Sequence, residues 1–231
     1  MVFGGDYPAA AAIELPVMAP AAPGAIAPDL HVFHDPDTLG TRLNLLISAP
    51  DREAAFAAAG SARREIDRLG AIFNWRLRDS EISQLNQSPA WQASPDLFAV
   101  IAAAERWRGT SLGAVSGRLG RLLSLWRTAR VLPDKDSIAH LARTIAEADV
   151  ILDPGARTII RPAAVVFDLD ALAKGYIVDA ALRAALGTPG VTGGLVDIGG
   201  DIACAGDVSS CLDGGLHRIE GSMPGAPDSR N

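Results

Sequence analysis

The sequence has little cysteine or histidine, and this scarcity excludes several kinds of site. Its two cysteines, Cys204 and Cys211, stand apart from its four scattered histidines, so no set of ligands has zinc-binding spacing. The linear spacing also supports no Ser/His/Asp arrangement for nucleophilic catalysis. The sequence therefore indicates neither a disulfide framework nor a zinc centre.

Positive charge and long apolar runs are scarce as well. Lys and Arg number 21 against 27 Asp and Glu, which gives a formal net charge of −6. No basic stripe is present to neutralise the phosphates of a duplex, so nucleic acid is not an expected partner, although one small phosphate ligand remains compatible. No apolar run approaches the ~20 residues that span a bilayer.

Residues 1–28 are rich in Pro and Ala and have no packing period, so we expect a linker or disordered lead-in. The first basic residue is Arg42, and a secretory signal needs a positive region before its apolar segment. No signal peptide is therefore visible. A precursor whose signal was lost would look the same, so export stays open.

One stretch near the middle of the chain combines charge with a change of pattern. An apolar run at 165–167 ends at Asp168 and Asp170, and a helical pattern follows, which predicts a strand-to-helix junction with Asp170 as N-cap. Lys174 then falls near the positive end of the helix dipole. Either Asp168 pairs with it locally, or an anionic ligand binds there, and the spacing leaves both interpretations open.

A second glycine-containing stretch follows this helix, which ends at Gly187. An apolar strand at 194–198 meets Gly199 and Gly200 and continues at 202–205. Two glycines within a strand pattern predict a bulge or a close approach of the backbone to another group. That group could be a ligand or a crossing strand.

Local patterns predict most of the remaining elements. They are a strand at 42–48, helices that begin after Pro50-Asp51 and Ser94-Pro95, a short helix near Trp126, a helix at 136–148 capped at Asp136, and a hairpin about 153–155. The polar run at 79–86 starts at Asp79 or Ser80 and is interpreted as a capped connection, with a ligand-facing role for it and Trp75 as the alternative. From residue 207 onward no period is visible, which predicts an irregular tail.

Two motifs together resemble one family. Asp168–Asp179 (DLDALAKGYIVD) and then Val196–Asp201 (VDIGGD) are similar to the signature pair of the FAD:protein FMN transferases, the ApbE-like flavin transferases. Upstream pieces agree in order, namely 39–41, 79–86 and the loop that ends at Trp126. The resemblance spans roughly residues 31–206 and implies an α+β fold, with a mixed sheet flanked by helices over residues 29–206 and an atypical tail at 207–231.

The resemblance implies an activity. Such enzymes bind FAD, hold Mg²⁺ and transfer the FMN half to a Ser or Thr hydroxyl of a target protein, releasing AMP. A metal and a lysine can together neutralise the charge that develops on the leaving phosphate. It also implies a periplasmic or cell-envelope location and a membrane-associated redox partner, while a cytoplasmic location stays open because no signal peptide is visible.

The family's site residues carry over by motif position. Lys174 would act on a phosphate or ribityl group, Asp168 would contact the flavin, and the Ala171 carbonyl with the Asp170 carboxylate would face the metal. The cofactor cleft would further be lined by Thr41, Asn74, Ser80, Glu81, Gly199 and Gly200.

The sequence also departs from the family pattern. Asp170 stands where a small residue is usual and would be an extra metal ligand or an obstruction, and Arg76 replaces an aromatic residue. Val115, Ser116 and Arg118 differ as well. Family members continue with a His-containing segment and with an Asp and a Thr that complete the metal site, and residues 207–231 do not match these. We therefore expect a C-terminal truncation or frame change near residue 207, with two alternatives to an active transferase: a remnant that binds FAD weakly, and a purely structural α/β module.

Overall fold

The computed structural model describes residues 29–128, 133–207 and 218–222. The strands are β1 (Asp29–Thr38), β2 (Thr41–Ala49), β3 (Ala90–Gln92), β4 (Ile151–Asp153), β5 (Thr158–Ile160), β6 (Gly193–Ile198), β7 (Asp201–Gly206) and β8 (Arg218–Ser222). The helices are α1 (Arg52–Phe73), α2 (Glu81–Gln87), α3 (Pro95–Thr110), α4 (Gly120–Thr128), α5 (Lys135–Glu147) and α6 (Asp170–Leu186).

The main sheet has five strands in the order β7-β6-β2-β1-β8. Neighbouring strands are antiparallel except β1 and β8, which are parallel. One face of the sheet packs on α1 and α6, and its side chains from adjacent strands, such as Phe33, Leu45 and Val196, are in register and buried. The predicted α+β fold with a mixed sheet flanked by helices is confirmed.

Helix α1 begins where the sequence predicts. Asp51 is its N-cap, and its carboxylate accepts from the Ala54 backbone N–H at 2.8 Å. The buried face consists largely of alanines with Ile66, Leu69 and Phe73 at helical spacing. Small side chains on this face allow α6, which also buries several alanines, to approach α1 closely.

The smaller sheet has the order β3-β5-β4, and its β4-β5 pair is the predicted hairpin. It lies next to α2 and the segment before α6. The Asn86 side chain donates to the Phe167 carbonyl and accepts from the Phe167 N–H, both at 2.8 Å. This pair of bonds holds the chain in place just before Asp168.

The prediction of a strand at 165–167 was wrong, because only Val166 forms an isolated parallel bridge, with Leu119. The backbone bonds of this segment go to Asn86 and to the loop before α4, where Gly117 accepts from the Asp168 N–H. Asp170 is not the N-cap either. Leu169 holds that position, and Asp170 is the first residue of the helix. The cap of α5 is Asp134 rather than Asp136.

The paired glycines form a turn rather than a bulge. Gly199 and Gly200 connect β6 to β7 as a two-residue hairpin, with φ of 62° and 100°. Both angles lie in the region that favours glycine, so this residue pair suits the hairpin.

The two ends of the domain differ from the predictions. Strand β1 was not predicted, and the prediction that the tail is irregular was wrong for Arg218–Ser222, which pairs with β1 as β8. Pairing between distant strands leaves no local period in the sequence. The lead-in at 1–28 and most of the remaining tail, including Cys211, lie outside the described residues. Within the described parts of the chain, no helix is both long and apolar enough to cross a bilayer.

Candidate active site

A first cleft of about 240 Å³ lies where the end of α1, the start of α6 and the β1-β2 turn meet. It contains four of the predicted site residues, namely Thr41, Asn74, Asp170 and Lys174. Arg76 also lines it. Asp170 and Lys174 both belong to α6, whereas Arg76 comes from a distant part of the chain, so only the fold brings the second cation to them.

Lys174 joins the two sequence motifs across this cleft. Its Nζ lies 3.3 Å from Asp201 Oδ2, and both side chains are about two-fifths exposed (42% and 43%). Of the two interpretations that the sequence left open for Lys174, the local pair with Asp168 is not the one observed, because the carboxylate beside its ammonium group is that of Asp201. Because this ion pair is solvent-accessible, it contributes little stability, and the ammonium group remains available to an anionic ligand.

The predicted close approach at the glycine pair is real, and Thr41 occupies the space. A Cβ at Gly199 would lie 2.7 Å from both Cγ2 and Oγ1 of Thr41, whereas a Cβ at Gly200 would meet nothing within 4 Å. The Gly200 N–H donates to Asp197 Oδ1 at 2.8 Å. Asn44 donates to the other oxygen, and these two bonds lower the pKa of Asp197. The turn is thus held against the floor of the cleft at Thr41.

Asp168 faces a second cleft of about 400 Å³, between α2, α4 and the segment before α6. Trp75 and Arg127 also line it. The Asp168 carboxylate is only 7% exposed and accepts from Arg127 Nη2 at 3.0 Å. Its other oxygen accepts a hydrogen bond of 3.3 Å from the Asp170 backbone N–H at the start of α6.

Four side chains separate the two clefts, and we call them the Trp75–Arg127 cluster: Trp75, Arg127, Asp168 and Asp170. Trp75 Nε1 donates to Asp170 Oδ2 at 3.0 Å, and Arg127 Nη2 lies 3.9 Å from the same oxygen. The Arg127 guanidinium also lies over the Trp75 ring, 4.2 Å from its centroid. Asp170 lines the first cleft and Trp75 lines the second, so the Trp75–Arg127 cluster forms a wall that the two clefts share.

Ser80 and Glu81, which the resemblance assigned to the cofactor cleft, have structural contacts instead. Ser80 is buried and is the N-cap of α2, which confirms one of the two predicted caps, Asp79 or Ser80. Glu81 Oε1 accepts from Trp91 Nε1 and from the Ser94 backbone N–H. Neither residue lines either cleft, nor do Ala171, Gly199 and Gly200. Their cofactor and metal roles stay predictions.

Sequence reasoning missed a polar network behind the first cleft. The Tyr176 hydroxyl donates to Asp96 Oδ1 at 2.7 Å, and Arg68 donates to Asp96 Oδ2 at 2.7 Å. Burial and the bond to Asp96 raise the pKa of Tyr176 to about 12. The Tyr176 ring packs edge-on against Phe73, which lines the cleft. The Pro95-Asp96 helix start was recognised, but no local signal indicates that Asp96 contacts α1 and α6.

Arg118 and Arg127 were also missed as structural cations. Arg118 is 2% exposed and pairs with both carboxylate oxygens of Glu105. Arg127 lies on the same helical stripe of α4 as Gly120 and Ser124, and all three line the second cleft. That spacing is the one signal that could have pointed to Arg127.

Fold and site together define an α+β domain with two charged clefts beside its main sheet. A sequence model of the ApbE family matches residues 39–221, and the chain belongs to this family. The match extends past residue 206 through most of β8. No curated protein sequence matches the chain.

Solved structures share the fold. The ApbE protein of Thermotoga maritima has a TM-score of 0.67 at 24% identity, covering 76% of this chain and 59% of that one. The Pseudomonas stutzeri flavinyl transferase ApbE, apo form, has a TM-score of 0.66 at 22% identity, covering 78% of this chain and 62% of that one. The Vibrio cholerae flavin transferase ApbE has a TM-score of 0.63 at 24% identity, covering 74% of this chain and 58% of that one. The chain thus spans about three-fifths of the length of these relatives.

Proposed function

We propose that this protein binds FAD across the two clefts and transfers the FMN half to a Ser or Thr hydroxyl of a target protein. The hydroxyl oxygen forms a bond to the FMN phosphorus, the bond from that phosphorus to the AMP phosphate oxygen breaks, and the hydroxyl proton is released. AMP is the second product. The observation that carries the proposal is the Lys174–Asp201 contact, which joins both family motifs at the first cleft.

The charges of the first cleft support a diphosphate ligand. Lys174 and Arg76 both line it, and the first turn of α6 contributes the positive end of a helix dipole. Guanidinium and ammonium groups bind phosphate oxygens through charge-assisted hydrogen bonds. A cation beside the bridging oxygen would stabilise the charge that develops on AMP as it leaves. Lys174 is our candidate for this role.

The described residues do not fit the Mg²⁺ that the resemblance implies. Asp170 Oδ2 already accepts from Trp75 Nε1, and a guanidinium lies 3.9 Å from the same atom. Across residues 29–128, 133–207 and 218–222, no group of three or more His, Cys, Asp or Glu side chains could hold a metal ion. Mg²⁺ prefers several oxygen ligands in octahedral geometry. We therefore assign no step of the transfer to a metal.

The test uses purified protein, FAD and a threonine-containing acceptor peptide, with AMP release and the mass of the peptide as readouts. We expect both AMP and an FMN-modified peptide. Lys174→Ala should reduce the rate by about a hundredfold or more, the range seen when a charge-stabilising group is removed. The only other lysine, Lys135, lies at the start of α5 outside both clefts, so Lys135→Ala is the matched control.

Three results would contradict the proposal. Equal rates for Lys174→Ala and Lys135→Ala would remove the phosphate role of Lys174. FAD binding, followed by flavin fluorescence, without any AMP release would favour the non-catalytic remnant instead. Absence of both binding and AMP release would leave only the structural module.

A further inference from the structure

Asp168 and Asp170 lie close in sequence to Ala171, whose carbonyl the resemblance names as a metal ligand, and both carboxylates already have a cation. Arg127 Nη2 donates to Asp168 Oδ2 at 3.0 Å and lies 3.9 Å from Asp170 Oδ2. The Asp168 side chain is almost fully buried, at 7% exposed, so its charge needs a close partner. Among the described ion pairs, Arg127 is the partner of both residues.

Other contacts hold the guanidinium in this position. It lies over the Trp75 ring, 4.2 Å from the centroid, and the Trp75 Nε1 donates to Asp170. Helix α4, which carries Arg127, begins with Gly120, whose N–H donates to the Val166 carbonyl two residues before Asp168. The helix start and the ion pair therefore position Arg127 from both ends of α4.

We propose that Arg127 is the resident cation of this site and takes the place of a divalent metal ion between Asp168 and Asp170. A metal ion bound there would have to displace a guanidinium that is already ion-paired and stacked, and two positive charges within a few ångströms repel each other. Arg127 borders both clefts, because it lines the second and contacts Asp170 of the first. It therefore supplies fixed positive charge for a diphosphate that crosses from one cleft to the other.

The first experiment uses a metal alone and does not depend on the proposed function. Mn²⁺ binding to the intact protein is followed by the loss of the free-ion EPR signal. Wild type should bind Mn²⁺ weakly, in the ~millimolar range of sites with few ligands. Arg127→Ala should bind it about tenfold more tightly, because the carboxylates are freed. Arg127→Gln, which keeps a hydrogen-bond donor, should behave in the same way.

Controls locate the effect. Arg121→Ala removes an exposed arginine from the same helix and should leave Mn²⁺ affinity at the wild-type value. Adding Asp170→Asn to Arg127→Ala should abolish the gain. The proposal is overturned if wild type binds Mn²⁺ as tightly as both Arg127 variants do, or if Arg121→Ala produces the same gain.

The second experiment rests on the proposed function and titrates FAD by flavin fluorescence, with excess Mg²⁺ or with EDTA. Wild-type affinity should change by less than about twofold between the two conditions, whereas Arg127→Ala should bind FAD more weakly and regain affinity with Mg²⁺. A wild-type affinity that rises about tenfold with Mg²⁺ would overturn the proposal. If no variant binds FAD at all, the proposed function fails, and the Mn²⁺ result still decides the role of Arg127.

Discussion

At the scale of single residues, the absence of a side chain at Gly199 allows the β6-β7 turn to pack against Thr41 at the first cleft. The β6-β7 turn approaches Thr41 so closely that a Cβ at Gly199 would lie 2.7 Å from two of its atoms. The neighbouring Gly200 has the same positive sign of φ, but open space around it. The two positions therefore separate steric contact from backbone strain.

We expect Gly199→Ala to lower the free energy of unfolding by about 2 kcal/mol or more, since overpacking adds to the strain of a positive φ. Gly200→Ala should cost about 1 kcal/mol from strain alone. Urea unfolding of both variants measures the difference. Equal losses would mean that Thr41 moves aside freely and that the contact does not define the cleft.

At the scale of elements, the start of α4 decides where Arg127 lies. Gly120 packs so closely on the segment before α6 that a Cβ would be 2.7 Å from Val166 Cγ1 and 2.8 Å from the Val166 carbonyl oxygen. A side chain here would push the helix away from Asp168. Arg127, two turns further along the helix, would then move away from Asp168 as well.

Gly120→Ala should therefore destabilise the protein by about 1–3 kcal/mol, the usual range for overpacking. It should also raise Mn²⁺ affinity in the direction expected for Arg127→Ala. Gly109→Ala is the control, because this glycine lies near the end of α3 and a Cβ there would meet nothing within 4 Å. Alanine there should be neutral or stabilising by up to about 1 kcal/mol. Similar thermal denaturation of the two variants would rule out the close contact at Gly120.

A second element contact is sensitive to acid. The hydrogen bond from Arg68 lowers the pKa of Asp96, and the Tyr176 hydroxyl adds to this effect. A lowered carboxyl pKa contributes stability that is present above the unfolded value of about 4 and is lost as the pH falls through the folded value. Asp96 joins the first turn of α3 to α1 and α6 through these two bonds.

Asp96→Asn should lower stability at neutral pH by about 1 kcal/mol, because charge-assisted bonds become neutral ones. The difference from wild type should shrink as the pH falls below about 4, where the Asp96 carboxyl is protonated in the unfolded chain, and should be lost once the pH passes its lower folded pKa. Urea unfolding at neutral and acidic pH tests this. A difference that stays constant with pH would show that the Asp96 charge does not contribute.

At the scale of the whole molecule, one buried histidine makes the stability of the main sheet depend on pH. His31 on β1 is 1% exposed, and neither ring nitrogen has a hydrogen-bond partner among the described residues. Burial lowers its pKa, with Arg52 acting in the same direction and Asp29 and Asp51 opposing it. The folded protein therefore binds fewer protons at this site than the unfolded chain does, so the stability present above about pH 6.5 declines as the pH falls.

His31→Leu should reduce the loss of stability between about pH 7 and pH 5, a loss of at most about 1.4 kcal/mol per pH unit for one group. His34 on the same strand is exposed and bonds to Asn44, so His34→Gln should keep the wild-type dependence. Urea unfolding at the two pH values gives the comparison. An unchanged pH dependence in His31→Leu would assign the effect to other groups.

Local patterns predicted the elements better than the contacts between them. Helix α6 and its end at Gly187 were correct because periodicity and a terminal glycine are properties of neighbouring residues. Strand β1 was not predicted, and β8 was assigned to an irregular tail. These two strands pair with each other although most of the chain separates them in sequence. The sequence named only Asp168 as a possible acidic partner of Lys174 for the same reason: Asp168 is near in sequence, but Asp201 is near in space.

By itself, the sequence determined the family, most of the helices and the two motifs that meet at the first cleft. These follow from residue order and short-range periodicity, which do not depend on distant contacts. Only the tertiary structure decided that Asp168 and Lys174 face different clefts, that Trp75 lies between them, and that Arg127 pairs with Asp168. Such contacts depend on how the helices pack on the sheet. Packing brings together charged side chains that are far apart in sequence, and their separation in sequence does not predict their distance in space.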